Sequence, residues 1–440
     1  MNAPPIAAMA ETSLPNTSSQ ASPDVRTTTA GASPIEGGLS SLRIAFFAAV
    51  VGVFIFNIFA CQVLVADIAR GLGLASTQGS LVGTATALGY ALGLLLIVPL
   101  ADVVENRRLV VSMALTCVVA LLLASFTSHA TVFVGLCVVI GASSSLIQIL
   151  VPLVGSLTPA AIRGRVLGNV MSGLMLGIMT SRPLASLVGA HFGWRAVYLL
   201  SALLVAGVIL PLRRMLPVRK PPTPIRYTRA VGSMATLIRS EPTLRTNALS
   251  AALVMGAFNA FWTAIVMRLT AAPFHLSAAG IALFGLVGTA GAVSAPIAGR
   301  LGDGGRTRVA SIAFDAMVIA ALLLALLGGG LLAPAAPTLA IACLVVSAVL
   351  LDCGVVGDQT LGRRAINLLA ASAIGRRNGL FVGIFFLGGA AGSAIVGPAA
   401  AFAGWSGVCL AGAAFGVGAL LISAFSNRVS VSMPASQTEK

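Results

Sequence analysis

The sequence predicts an all-α polytopic membrane protein of twelve transmembrane helices, arranged as two parallel-repeat halves of six. Three observations carry this prediction. Of the 440 residues, 58% are hydrophobic and only 9% charged, with a mean hydropathy of +1.00, whereas a soluble domain carries roughly 25% charged residues. Twelve apolar runs follow one another along the chain, each close to the ~20 residues a helix needs to cross a bilayer. The last six runs also repeat glycines, a proline and an asparagine of the first six at fixed offsets. A water-soluble fold would lack polar surface, and a disordered chain would not be this apolar.

The elements follow in order. Residues 1–41, rich in Ser, Thr, Pro and Ala, lack the basic start and apolar core of a secretory signal and read as a disordered cytoplasmic tail. The first half, 42–212, holds spans 1 to 6 at 42–66, 79–101, 108–127, 132–156, 166–190 and 194–212. A basic cytoplasmic linker, 213–245, leads to the second half, 246–425. Its spans 7 to 12 lie at 246–270, 277–299, 308–328, 336–360, 379–402 and 405–425, and residues 426–440 form a second cytoplasmic tail.

Charge orients the chain. There are 27 Lys and Arg against 12 Asp and Glu, a formal +15, a balance that can signal nucleic-acid binding. With twelve spans, both termini, the linker and the even-to-odd loops share one side. All basic residues except Arg70, Arg182, Arg195 and Arg268 fall there. Lys and Arg mark cytoplasmic loops, so both termini are expected in the cytoplasm, with the chain crossing the cell inner (plasma) membrane many times. The charges are spread one loop at a time rather than gathered on a groove-reading face. The expected partner is the lipid bilayer, not nucleic acid.

Other chemistry is missing from the sequence. The six cysteines sit inside apolar runs without CxxC spacing, and the three histidines are isolated, so no metal centre or cofactor is expected. The two lysines, Lys220 and Lys440, follow no glycine-rich loop, which excludes a Walker A phosphate site. No cluster of His, Asp and Ser marks an enzyme.

Gly164, Gly168, Gly173, Gly177 and Pro183 of span 5 recur 215 positions later as Gly379, Gly383, Gly388, Gly392 and Pro398 of span 11. Phe56, Asn57 and Phe59 of span 1 recur 202 positions later as Phe258, Asn259 and Phe261 of span 7, and Gly83 and Gly89 as Gly285 and Gly291. Corresponding spans run in the same direction, as in transporters whose site lies between two parallel repeats. Glycine rows also let helices pack closely in lipid, which rocking of one half on the other requires as well.

The loop after span 2 reads Pro99-Leu100-Ala101-Asp102-Val103-Val104-Glu105-Asn106-Arg107-Arg108, and its second-half counterpart Gly299-Arg300-Leu301-Gly302-Asp303-Gly304-Gly305-Arg306. With the six-plus-six layout, these resemble the loop signature of the major facilitator superfamily, Gly-x-Leu-x-Asp-Arg-x-Gly-Arg-Arg. Val103 and Gly304 stand where the signature has its first Arg. Arg163-Gly164-Arg165 and Gly193-Trp194-Arg195 extend the likeness, which covers about residues 40–425. Asn57-Ile58-Phe59-Ala60-Cys61-Gln62 and Asp352-Cys353-Gly354-Val355 look like segments of the twelve-span bacterial efflux-type permeases. The resemblance implies secondary active transport of a small drug- or sugar-like molecule, outward and in exchange for protons, by a monomer. Import or facilitated diffusion by the same fold is the alternative; a sensor or enzyme is a distant one.

Asp102 closes its own helix, where the macrodipole disfavours a negative charge. It is expected against the start of span 11 near Gly379, with Arg107 and Arg108 close by, and Asp303, followed by Arg306, against the start of span 5 near Gly164. Together they would form a conformational latch. Ionisable groups at membrane depth are costly and point to function: Arg182, Asp315, Asp352 and Asp358 qualify. Asp352 is the candidate proton site and Arg182 its counter-ion or an anion ligand. Asn57 and Asn259, expected near the two-fold axis, with Gln62, Gln148 and Trp262 complete the predicted substrate and proton pathway.

Overall fold

A segment that is apolar nearly throughout must satisfy its backbone polar groups internally when lipid surrounds it, and a helix does so. In the computed structural model every predicted span is helical, and the described residues, 39–75, 78–219, 226–369 and 374–425, contain no strand. The tail 426–440, most of the tail 1–41, and Lys220 lie outside the described residues. Among the described residues, eleven helices are long and apolar enough to cross a membrane. The last, Gly375–Phe425, has 51 residues and is interrupted at Ala403 and Gly404, whose φ angles of −143° and 57° are not helical. It is therefore spans 11 and 12 joined end to end, which brings the total to twelve. Gly404 supplies the positive φ that a side chain would resist.

Span 1 runs as Ser41–Phe59 and, past a helical Ala60, as Cys61–Gly71. Spans 2 to 6 are Leu81–Asp102, Asn106–Phe126, Ala130–Ser156, Ala161–Phe192 and Trp194–Met215. Spans 7 to 10 are Pro242–Thr270, Ala278–Asp303, Thr307–Leu332 and Pro337–Asn367. The segment 213–245 also contains a helix, Tyr227–Ser240. Ala230 and Met234, one turn apart on one face, are buried, while Arg229 and Arg239 stay exposed. Its Tyr227 hydroxyl donates to Leu96 O at 2.8 Å on span 2, and Arg376 of span 11 donates to its Ser233 at 2.7 Å. Glu241 pairs with Arg377 at 2.6 Å. The helix thus ties the ends of spans 2 and 11 together at the basic face.

The two halves repeat one packing plan. Span 1 lies on span 5, span 2 on span 4 and span 3 on span 6; span 7 lies on span 11, span 8 on span 10 and span 9 on spans 10 and 12. Glycines set the closest approaches. A methyl group on Gly173 would overlap Ala48 O, and one on Gly177 would overlap Gly52 O. In the second half the same holds for Gly388 against Ala252 O and Gly392 against Gly256 O. Gly173 and Gly177 of span 5, and Gly388 and Gly392 of span 11, therefore form backbone-to-backbone seams with spans 1 and 7.

Across the halves, span 2 faces span 11 and span 5 faces span 8. On the side away from the basic loops, Ser186 donates to Ala278 O at 3.0 Å, and Gly83 sits over Ser393. Span 11 stays against span 2 through its Gly93–Ile97 stretch, with Gly383 on Leu94 and Leu95. Span 5 meets span 8 through Ala278–Val287. Closer to the basic face, Gly168 and Met175 of span 5 and Ala292 and Pro296 of span 8 are exposed.

The seams make a paired prediction. Gly388→Ala should destabilise the protein by about 1–3 kcal/mol, the usual cost of overpacking, because the methyl meets backbone. Gly168→Ala, with nothing within 4 Å, should be neutral or stabilise by roughly 0.4–1 kcal/mol. Thermal denaturation of the two purified variants in detergent compares them directly.

Candidate functional site

Five of the predicted residues meet where spans 1, 5, 7, 8 and 10 converge. Gln62 of span 1 donates through Nε2 to Asn259 Oδ1 of span 7 at 3.1 Å. The same Gln62 accepts through Oε1 from Arg182 Nε and Nη2 of span 5, at 3.2 and 3.1 Å. The Arg182 guanidinium lies over the Trp262 ring with 3.9 Å to its centroid, and Phe59 and Phe258 flank it at 5.6 and 5.5 Å. Trp262 Nε1 donates to Asp352 Oδ2 of span 10 at 3.2 Å. Every one of these polar groups is buried, Arg182 at 3% exposure and Asp352 at 6%.

Arg182 and Asp352, the two opposite charges, make no ion pair within 4.0 Å of one another. The indole stands between them. It offers its π face to the cation, a contact worth about 2 kcal/mol or more when desolvated, and its edge N–H to the carboxylate. Glycines of span 8 make room for this. A methyl on Gly288 would come within 2.7 Å of Trp262 Cζ2 and 2.9 Å of Asp352 Oδ2. One on Gly291 would press on Asp352 itself, and one on Gly285 would reach Arg182 Cβ at 3.0 Å.

Asn57 and Gln148 lie elsewhere. Asn57 is buried towards span 3, its Nδ2 3.9 Å from Cys117 Sγ, and it borders a small space of about 10 Å³ shared with Tyr198 and Ser201. The Phe-Asn-x-Phe match sets Asn57 opposite Asn259 at an offset of 202. The packed backbones align Ala48 with Ala252 and Gly52 with Gly256, an offset of 204. Two residues are about 200° of helix, so Asn57 turns away from the axis that Asn259 faces. Gln148 of span 4 is half-buried. Tyr90 of span 2 packs on Phe386 of span 11 across the two halves, with ring centroids 4.4 Å apart.

The other deep acids are peripheral to the cluster. Asp315 of span 9 accepts from Ser423 of span 12, and Asp358 is buried on span 10. A larger groove of about 590 Å³, lined by Ile44, Gly52, Phe56, Gly173, Leu176 and Leu204 among others, runs between spans 1, 5 and 6, apart from the cluster.

At the basic face, Asp303 accepts from Arg364 Nε at 2.9 Å, within its own half. Asp102, Arg108 and Arg306 are exposed and Arg107 is half-buried. A methyl on Gly164 or on Gly379, the expected docking points of the two acids, would find nothing within 4 Å. In this conformation neither loop acid sits on the opposite half.

Sequence reasoning missed Phe59, Phe258, Gly285, Gly288 and Gly291 as parts of the cluster, and Tyr90 and Phe386 as a contact between halves. The repeat had marked several of these positions, but as packing residues.

Trp262→Phe isolates the indole N–H. It keeps an aromatic face for Arg182 and leaves Asp352 without that donor, so a loss of about 1.5–3 kcal/mol in stability is expected, as for a hydrogen bond to a charged group. Unfolding of wild type and variant in the same detergent measures it.

The family model described as Major Facilitator Superfamily matches residues 44–357. The uncharacterized transporter YgaY of Escherichia coli O157:H7 is 36% identical over 385 residues, covering 87% of this chain and 95% of that protein. A relative in Streptomyces coelicolor named as a transporter is 34% identical over 392 residues, 88% of each chain. Among solved structures, a D-xylose–proton symporter superposes with a TM-score of 0.70 at 13% identity, over 87% of this chain and 97% of that one. A bacterial homologue of the human lysosomal transporter Spinster, in an inward-facing, unoccupied conformation, gives 0.66 at 16%, over 88% and 97%.

Proposed function

Because the chain belongs to the major facilitator superfamily, we propose that it is a secondary active transporter of the inner membrane that couples protons to the movement of a small organic molecule. Its two halves would rock about the central cluster, as in other parallel-repeat transporters. One observation supports this above the rest: Gln62 and Arg182 belong to the first half, Asn259, Trp262 and Asp352 to the second, and their contacts join the two halves at depth. Asp352 is the proton site in this reading, since a carboxyl held away from water with one N–H partner can take up a proton in place of that contact. Arg182 is the counter-ion whose field the proton modulates. The basic loops face the cytoplasm.

The test is proton flux and solute flux in proteoliposomes of fixed orientation, against a panel of drugs, sugars and organic acids. Asp352→Asn should cut proton flux on the order of 100-fold, the scale for removing a positioned proton-transfer group, while solute still equilibrates down its gradient. Unchanged coupling in that variant would remove Asp352 from the role. Solute movement without any proton flux in the wild type would make the protein a uniporter.

Asp102 and Asp303 act in this reading as latches that engage the starts of spans 11 and 5 when the basic face closes. Asp303 rests on Arg364 of its own half. Exposed pairs of this kind add little to stability. Asp102→Asn should therefore leave the melting temperature in place and slow transport about tenfold, equivalent to about 1.4 kcal/mol. A variant that transports at the wild-type rate rules the latch out.

A further inference from the structure

Arg182 is a strong donor that the core of the molecule satisfies sparingly. A guanidinium carries five N–H donors in a planar fork, and its Nε and Nη2 share a single acceptor, Gln62 Oε1. Among the described residues no carboxylate stands within 4.0 Å of it; the Trp262 ring lies over it and binds Asp352 through its N–H. Gln62 gives its Nε2 to Asn259, so its amide is turned to present oxygen, the weaker stand-in for an anion, to the arginine. Three aromatic rings, Phe59, Phe258 and Trp262, wall the guanidinium. The planar fork fits a carboxylate in bidentate fashion, and the rings fit an apolar body attached to it.

The geometry points to an organic anion, a carboxylate on a flat or extended apolar body, as the substrate class of this cluster. The acid displaces Gln62 Oε1 from Arg182 and lies along the aromatic wall. The inference rests on the cluster being the transport site. It also sets the sense of coupling. An anion placed on Arg182 stands one indole away from Asp352, and like charges disfavour each other in a low-dielectric site. Anion binding therefore favours the protonated carboxyl, and proton and anion travel together, in the same direction, as a neutral load. This replaces the exchange expected from the efflux-type resemblance with co-transport.

The test uses the full chain, purified in detergent, with benzoate, benzamide and benzylamine, and with hexanoate and hexanamide. Thermal shift should register the two acids and not the matched amides or the amine. Arg182→Gln should abolish the acid response. Arg182→Lys, which keeps the charge and loses the fork, should weaken it about tenfold, or about 1.4 kcal/mol. A variant that simply fails to fold could mimic these losses, so Asp352→Asn carries the complementary arm. Removing the repelling charge should tighten benzoate binding about tenfold. No response to either acid, an equal response to their amides, or weaker benzoate binding in Asp352→Asn overturns the inference.

Vesicles separate this inference from the transport reading. Movement of benzylamine or benzamide but of no acid leaves the transporter standing and overturns the anion. Acids that bind without any solute crossing overturn the transport role. Benzoate entering together with protons, and not in Arg182→Gln vesicles, supports both.

Discussion

The Trp262 indole standing between Arg182 and Asp352 is the contact on which the rest of the centre depends. A guanidinium and a carboxylate buried separately would each carry a desolvation penalty of several kcal/mol, and a direct ion pair would lock the two halves together. The indole takes a third course. Its face receives the cation and its edge binds the anion, so both charges are stabilised while neither is fully neutralised. The position needs an aromatic ring with an N–H at its rim, and among side chains only tryptophan combines that donor with so large a ring. Phe59 and Phe258 complete the low-polarity wall that keeps water from competing for the guanidinium.

Holding that arrangement requires span 8 to come very close to spans 7 and 10, which explains the glycines at 288 and 291 and the tightened 3-10 winding of Gly288–Val293. A glycine contributes no side chain to pack, and its use in a helix costs about 1 kcal/mol relative to alanine. Here each absent methyl is space occupied by Trp262 or Asp352. The seams of spans 5 and 11 follow the same physics on a larger scale. Lipid supplies no hydrophobic drive between helices, so close backbone approach and van der Waals contact hold the helices of each half together.

Much of this fold was legible because apolar runs and loop arginines are long-range constraints that a single sequence displays. The break between spans 11 and 12 fell where Gly404 stands, and four glycines of the rows that relate the halves line the seams within each half. What could not be read was rotation. Asn57 and Asn259 share a motif, but the backbones pack two residues out of that register, and two residues send one amide to Cys117 and the other to Gln62. The pairing of Arg182 with Trp262 was hidden for a related reason: spans 5 and 7 are distant in sequence, and a cation over a ring leaves no spacing pattern. The linker was legible as basic, while its helix depended on Ala230 and Met234 finding a buried face.

The repeat also shows where the symmetry is broken. Gly89 of span 2 rests on Val138 of span 4, and its counterpart Gly291 of span 8 rests on Asp352 of span 10; the acid occupies the place of a hydrocarbon. Arg182 has Gly397 as its counterpart 215 positions on. Each half thus holds one charge that the other lacks. The cation and its Gln62 partner move with the first half; the anion and its Trp262 partner move with the second. The plane of separation runs between the guanidinium and the indole face, and between Gln62 and Asn259. Any rocking of the halves at this depth must therefore separate opposite charges in a medium that screens them poorly. The electrostatic part of that separation falls when Asp352 carries a proton, or when an anion accompanies Arg182. Charge state and conformation are linked through one stacked ring, without either charge having to touch the other.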